Sequence, residues 1–219
     1  MAARQLASQS MGMADEGRKS RKSRVSESHS GSWGTSSVEF VHLAGLLYRH
    51  SAEYAKRFDG NCSAYTLAGI PILFSALRCL LIELNANISL SGRAQPSVLK
   101  ELSQSSNDIE VILNHYSIPL KLRNRLRLLV QVRHEIVHPA HRPSGDAGNT
   151  PAYLRRLRHE KLLQSTERAS DYIWIEQLKS HRLFRWGFKT VKQTVVILVK
   201  SHQLPSGEAK GLITSYSYL

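Results

Sequence analysis

Seven consecutive residues, Arg133-His134-Glu135-Ile136-Val137-His138-Pro139, carry the densest set of chemistry-bearing side chains in the sequence. They admit three readings. In the first, His134, Glu135 and His138 fit the spacing H-E-x-x-H. That spacing sets two imidazoles on one helical face for a zinc ion, with the Glu as general base on metal-bound water. Pro139 directly after the second His, and His141 where the extended motif has Gly, argue against a metallopeptidase. A downstream Glu such as Glu160 or Glu167 could be the third ligand, but no sheet is expected to support such a cleft. In the second reading, Arg133 and His138 form an Arg-x4-His pair with a polar residue after the Arg. A guanidinium grips a phosphate in two places and steadies charge in a pentacovalent transition state. An imidazole takes or gives a proton near neutral pH. In the third and plainest reading, Arg133 and His138 are ordinary cations near a helix C-terminus, where the helix dipole favours them.

The Arg-x4-His pattern is short. With 19 Arg and 10 His in 219 residues, about one such pair arises by chance, and Arg24-x4-His29 also fits. Context separates the two. Arg24 and His29 lie in a Ser-rich tail, whereas Arg133 and His138 lie at the end of an amphipathic helix closed by Pro139. The form Arg133-His134-Glu135-Ile136-Val137-His138-Pro139 resembles the signature of HEPN domains (the higher eukaryotes and prokaryotes nucleotide-binding superfamily). That signature is an Arg, a polar residue, a few variable residues and a His, often followed by Pro. The resemblance spans about residues 37–202. It implies metal-independent RNA cleavage, leaving a 2′,3′-cyclic phosphate and a 5′-hydroxyl. His138 would be the acid/base, Arg133 the phosphate clamp and His134 an assisting group. It also implies a homodimer bringing two motifs into one cleft, service as a toxin or anti-phage defence effector, and an antitoxin or defence-system partner. The polar position holds His where Asn is commoner. Ala140 stands where one toxin subgroup, paired with a nucleotidyltransferase antitoxin, has Tyr.

Other residues suit phosphate contacts. Lys121, Arg123, Arg125 and Arg127 open the motif helix; Arg142 follows the motif; Arg155, Arg156 and Arg158 come after the next loop. Each cluster reads equally well as a solvated helix face. Residues two apart diverge around a helix, so Arg123, Arg125 and Arg127 do not all meet one phosphate track. Trp174, Phe184, Trp186 and Phe188 could stack bases, but their helical spacing beside Ile175, Leu178 and Leu183 favours core packing. Asp108 and Glu110 have no paired-carboxylate context, and no Gly-rich phosphate loop occurs.

The elements that must position these groups read as helices. Val38, Val41, Gly45, Tyr48, Ala52 and Ala55 recur at spacings of three and four, predicting a helix over 37–58 stopped by Asp59-Gly60-Asn61. A mostly buried helix follows over 64–86. Pro96 opens a third to Tyr116, and Pro119 opens a fourth ended by Pro139. Residues 139–151 read as a loop; helices resume over 152–164 and 167–202, the latter broken near Ser180 or Gly187. No period-two strand series and no internal repeat occurs. The expected class is all-α, an up-and-down bundle of four to five main helices over 37–203. A disordered basic tail over 1–36 and a flexible C-terminal tail over 204–219 flank it.

Composition sets the outer bounds. Lys and Arg number 30 against 17 Asp and Glu, a net charge of +13 with a pI near 10.0. That favours an anionic partner, with RNA the leading candidate. The first 36 residues contribute +3 of it and the bundle +10. Hydrophobic residues at 42% match an ordinary globular chain. Two cysteines, Cys62 and Cys79, exclude a four-cysteine zinc site and fit a reducing, cytoplasmic setting. The apolar run Ala64–Leu84 contains Pro71, Arg78 and Glu83, so a core helix is expected there and no membrane association. No secretory leader is expected, and translation could start at Met1 or Met13. No cofactor or metal is expected. The leading function is therefore a metal-independent HEPN-type endoribonuclease. Beside it stand a non-catalytic HEPN-like module binding RNA, a nucleotide or a protein, and an H-E-x-x-H zinc hydrolase.

Overall fold

Apolar side chains at positions 41, 44 and 48, with Ser51, form one continuous buried stripe on the first helix, and this stripe sets its packing. The computed structural model describes residues 35–57, 62–86, 95–104, 107–139, 150–164 and 174–217, which fall within the unit Ser32–Leu219. Among the described residues there are nine helices and no strand, so the chain is all-α. Four helices are long: α1 (Thr35–Arg57), α2 (Tyr65–Ala86), α5 (Leu120–Val137) and α8 (His181–Ser201).

Helix α1 runs antiparallel to α2. Ser37 near its start donates from its backbone N–H to Glu83 Oε1 at 3.0 Å and from Oγ to Oε2 at 2.5 Å, while Tyr54 near its end meets the Tyr65 ring that opens α2. The first turn of α1 has no acidic residue of its own. A carboxylate from the last turn of α2 thus serves its positive end. Ten residues of α2 are buried, and it packs on α1, α3, α5 and α8. It is the one described helix long and apolar enough to cross a membrane. Helix α8 lies parallel to α2. Its first turns meet the start of α2 where Phe184 sits on Gly69, and its end meets the end of α2 through the Asn85–Tyr116–His202 cluster. A Cβ at Gly69 would fall 1.9 Å from Phe184 Cζ, so only glycine lets the ring lie against the helix backbone here. Phe184 in turn meets Tyr48 and Phe188 at ring-centroid distances of 5.6 and 5.5 Å.

Three sequence expectations change. The single helix over 96–116 is two: α3 (Pro96–Gln104) and α4 (Asp108–His115). Asn107 begins the second by accepting from Ile109 N–H, and Asp108 and Glu110 favour its first turn. The helix over 152–164 stops earlier, as α6 (Ala152–His159), with Lys161 at φ 55° beyond it. The 167–202 stretch is broken at Ser180, one of the two positions expected; Ser180 caps α8 by accepting from Leu183 N–H, and the short α7 (Trp174–Leu178) precedes it. The C-terminal segment is not a free tail. Helix α9 (Ser206–Ser215) forms there, and Tyr216 is fully buried, donating its hydroxyl to Ala76 O of α2 at 3.2 Å. The Tyr216 phenol is pushed far above its ordinary range by burial. Residues 1–34 of the expected basic tail and most of the 139–151 loop lie outside the described residues.

Two buried polar clusters tie the helices together. Asn85 donates from Nδ2 to Leu81 O and to Tyr116 Oη, which lies 2.8 Å from His202 Nε2. Around Ser180, Thr66 Oγ1 donates to Ser180 O, Ser63 N–H donates to Lys179 O, and Ser180 Oγ donates to Leu162 O. Buried polar atoms of this kind need partners, and the helix ends supply them. Phe184, Trp186 and Phe188 are all buried, as core packing requires.

Candidate functional site

The motif residues occupy the last turn of α5. Pro139 follows, and His138 ends the helix with its backbone N–H donated to His134 O at 2.8 Å. One helical turn separates His134 from His138, so both rings emerge on the same side. Their centroids are 5.3 Å apart, and both residues are exposed. Arg133 projects a step around the helix and is half-buried. Among the described residues its guanidinium has no hydrogen bond or ion pair. Glu135, one step further around the helix, is 5% exposed, whereas the two imidazoles are exposed.

Arg133 and His134 line a cleft of about 480 Å³ between α2, α4 and α5, and His138 lies outside its lining. Phe74, Ile109 and Val130 give it an apolar wall. Ser75 and Arg78 of α2 and Asn107 and Asp108 at the start of α4 give it a polar one. Arg78 forms an ion pair with Asp108 and also reaches Leu102 O. The Asp108 partner holds the Arg78 guanidinium above its ordinary range, against the opposing pull of desolvation. An apolar wall with a few convergent polar groups, and a lining cation with no ion pair among the described residues, suits a flat ring joined to an anionic group. From the sequence Arg78 is only a charge in an apolar run, Asp108 only a carboxylate without a pair, and nothing points to Phe74. The packing of α2 and α4 against α5 brings all three to Arg133.

The other sequence candidates separate. Arg125 and Arg156 come together with Lys121 at a second pocket between α5 and α6. Arg127 pairs with Glu110 across an exposed gap of 3.3 Å. Arg123 is half-buried, and its Nε has no partner among the described residues. Arg155 is exposed on α6, and Arg142 lies outside the described residues. Among the described residues no group of three or more His, Cys, Asp or Glu could hold a metal ion. Glu160 is engaged by Arg156, and Glu167 is outside the described residues. Comparison with family models, curated proteins and solved structures returns no match for this chain.

Proposed function

We propose that the chain is a HEPN-type, metal-independent endoribonuclease acting as a homodimer. The observation that carries this reading is the end of α5: Arg133, with no ion pair among the described residues, and the exposed His134 line a cleft with an apolar wall, and the exposed His138 ring lies 5.3 Å from that of His134. Arg133 would hold the scissile phosphate and offset the charge that builds on its oxygens. His138 would take the ribose 2′-hydroxyl proton or deliver one to the departing 5′-oxygen, and His134 would orient or relay. In-line attack places nucleophile and leaving group on opposite sides of phosphorus. The two imidazoles of one chain emerge on one side, so a second copy facing the first would supply the opposite proton-handling group. Service as a toxin or in defence belongs to this same reading.

The test is incubation of purified protein with RNA in EDTA. Wild type is expected to leave 2′,3′-cyclic phosphate ends. Removing a general acid–base group costs about 10²–10⁴-fold in rate, so His138→Ala should fall in that range. Arg133→Ala should lose on the order of 10²-fold or more. Equal cleavage by all three proteins would overturn the reading. One observation favours a second reading, a non-catalytic binding module: His138 is absent from the cleft lining, so the cleft can hold a nucleotide without it. That reading predicts salt-sensitive RNA binding that needs Arg133, with no cleavage by wild type.

A further inference from the structure

The second pocket, about 420 Å³ in volume, lies at the far end of α5 from the Arg–His cluster. Lys121, Asn124 and Arg125 of α5 line one side, Arg156 and Glu160 of α6 the other, with Leu120 at the rim. Three cations converge there against one carboxylate, and that carboxylate is held by Arg156 at 3.4 Å. Lys121 and Arg125 have no hydrogen bond or ion pair among the described residues. Like charges at i and i+4 repel along a helix, and Arg156 adds a third positive group from across the gap. Such an arrangement gains stability when an anion enters.

We infer that Lys121, Arg125 and Arg156 form a backbone-phosphate subsite for an RNA strand whose reacting phosphate lies at Arg133; this rests on the RNA reading given above. Eight residues of α5 separate Arg125 from Arg133, about 12 Å along the axis at 1.5 Å per residue and about 80° around it. A stacked strand advances about 3.4 Å per nucleotide, so the two sites are at least three to four nucleotides apart. The pocket carries no aromatic side chain on which a base could stack, and three of its six lining residues are cations, so charge is what it offers a strand.

The length of the RNA separates this subsite from the cleft. Binding of the full chain to 2′-O-methyl RNA, which resists cleavage, is measured by fluorescence anisotropy for a trinucleotide and a decanucleotide over a salt series. The triple variant Lys121→Ala/Arg125→Ala/Arg156→Ala should bind the decamer more weakly. Each single-strand phosphate contact contributes about 0.7 to the slope of log K against log salt, so the slope should fall by about 2. Trinucleotide binding, dependent on Arg133, should be unchanged. The double variant Lys121→Ala/Arg156→Ala alters only exposed side chains and should lose about 1.4 of slope by the same rule. Unchanged decamer affinity and slope in both variants overturns the subsite while leaving RNA binding at Arg133 intact. Equal losses for trimer and decamer overturn it as a separate subsite. If wild type binds neither RNA, the RNA reading itself fails and the subsite with it. Binding to phosphatidylserine vesicles that the triple variant abolishes, without RNA binding, would assign the pocket to lipid headgroups instead.

Discussion

Replacing Gly69 by Ala adds one methyl group where the structure has no room for it. The new Cβ would meet Phe184 Cζ at 1.9 Å, Cε1 at 2.5 Å and Cε2 at 2.7 Å, against an ordinary contact of 3.4 Å or more. The ring is fully buried between Tyr48 and Phe188, so it cannot swing into solvent without opening the core. Overpacking of a core costs about 1–3 kcal/mol, and full loss of a buried Phe costs about 3–5 kcal/mol. Three ring atoms too close at once put this case near the boundary of the two ranges. Against it stands the helix preference for Ala over Gly, about 1 kcal/mol. The net expectation is a loss of about 2 kcal/mol. In urea, with a slope of about 2–3 kcal/mol per molar, the midpoint should fall by about 1 M. Gly211→Ala in α9 is the internal control: its Cβ would meet nothing within 4 Å, so it should be neutral or gain up to about 1 kcal/mol. Phe184→Leu should cost less in the Gly69→Ala background than in wild type, giving a coupling of about 1 kcal/mol or more. A neutral or stabilising Gly69→Ala, or zero coupling in the cycle, would refute the argument.

Further expectations rest on the polar clusters. Burial lowers the pKa of His202, and burial followed by the Arg185 charge lowers that of His181. The unfolded chain, with His near ~6.5, then binds protons more readily than the folded one. The stability these neutral rings preserve is complete above that value and is lost as pH falls from it toward the folded pKa values. Urea midpoints should drop between pH 7.5 and 5.5, and a flat profile would contradict this. Tyr116→Phe removes the hydroxyl shared by Asn85 and His202, leaving both buried groups short of a partner, and should cost about 1–3 kcal/mol by calorimetry. Glu83→Ala takes the carboxylate from the start of α1. It should cost about 0.5–2 kcal/mol and speed amide exchange in the first turn of α1 specifically.

Much of this architecture was legible because α1, α2 and α5 carry strong periodic or apolar patterns and clear stops: Asp59-Gly60-Asn61 after the first, Pro119 and Pro139 around the last. The split between α3 and α4 was signalled too, by Asn107-Asp108, a capping residue followed by an acid. Unbroken apolar spacing from Val98 to Leu113 outweighed it. Helix α9 was missed for a different reason. Gly207, Gly211, Ser206 and Ser215 are weak helix formers, and α9 is held by Leu212 and Tyr216 against the rest of the bundle, which is a tertiary effect. At the candidate site, Arg133, His134 and His138 could be found by spacing, since one helix holds all three. Phe74, Arg78 and Asp108 could not, because three separate segments meet there only on folding. The same limit applies to Lys121, Arg125 and Arg156. The sequence placed them in two clusters and gave no sign that α6 lies across the first turns of α5.

The Ser180 junction has a consequence for the order in which the molecule is made. Thr66 and Ser180 are 114 residues apart in sequence, yet one hydrogen bond joins them, and Phe184 seals Gly69 just beyond. During synthesis at about 5–20 residues per second, the start of α2 must wait on the order of 6–23 seconds for α8 to arrive. Throughout that interval the face of α2 that α8 will cover has only water or a chaperone to meet it. The most apolar helix of the chain is thus also among the longest exposed, and the nascent α1–α2 pair is the segment on which a cell's folding assistance would act first.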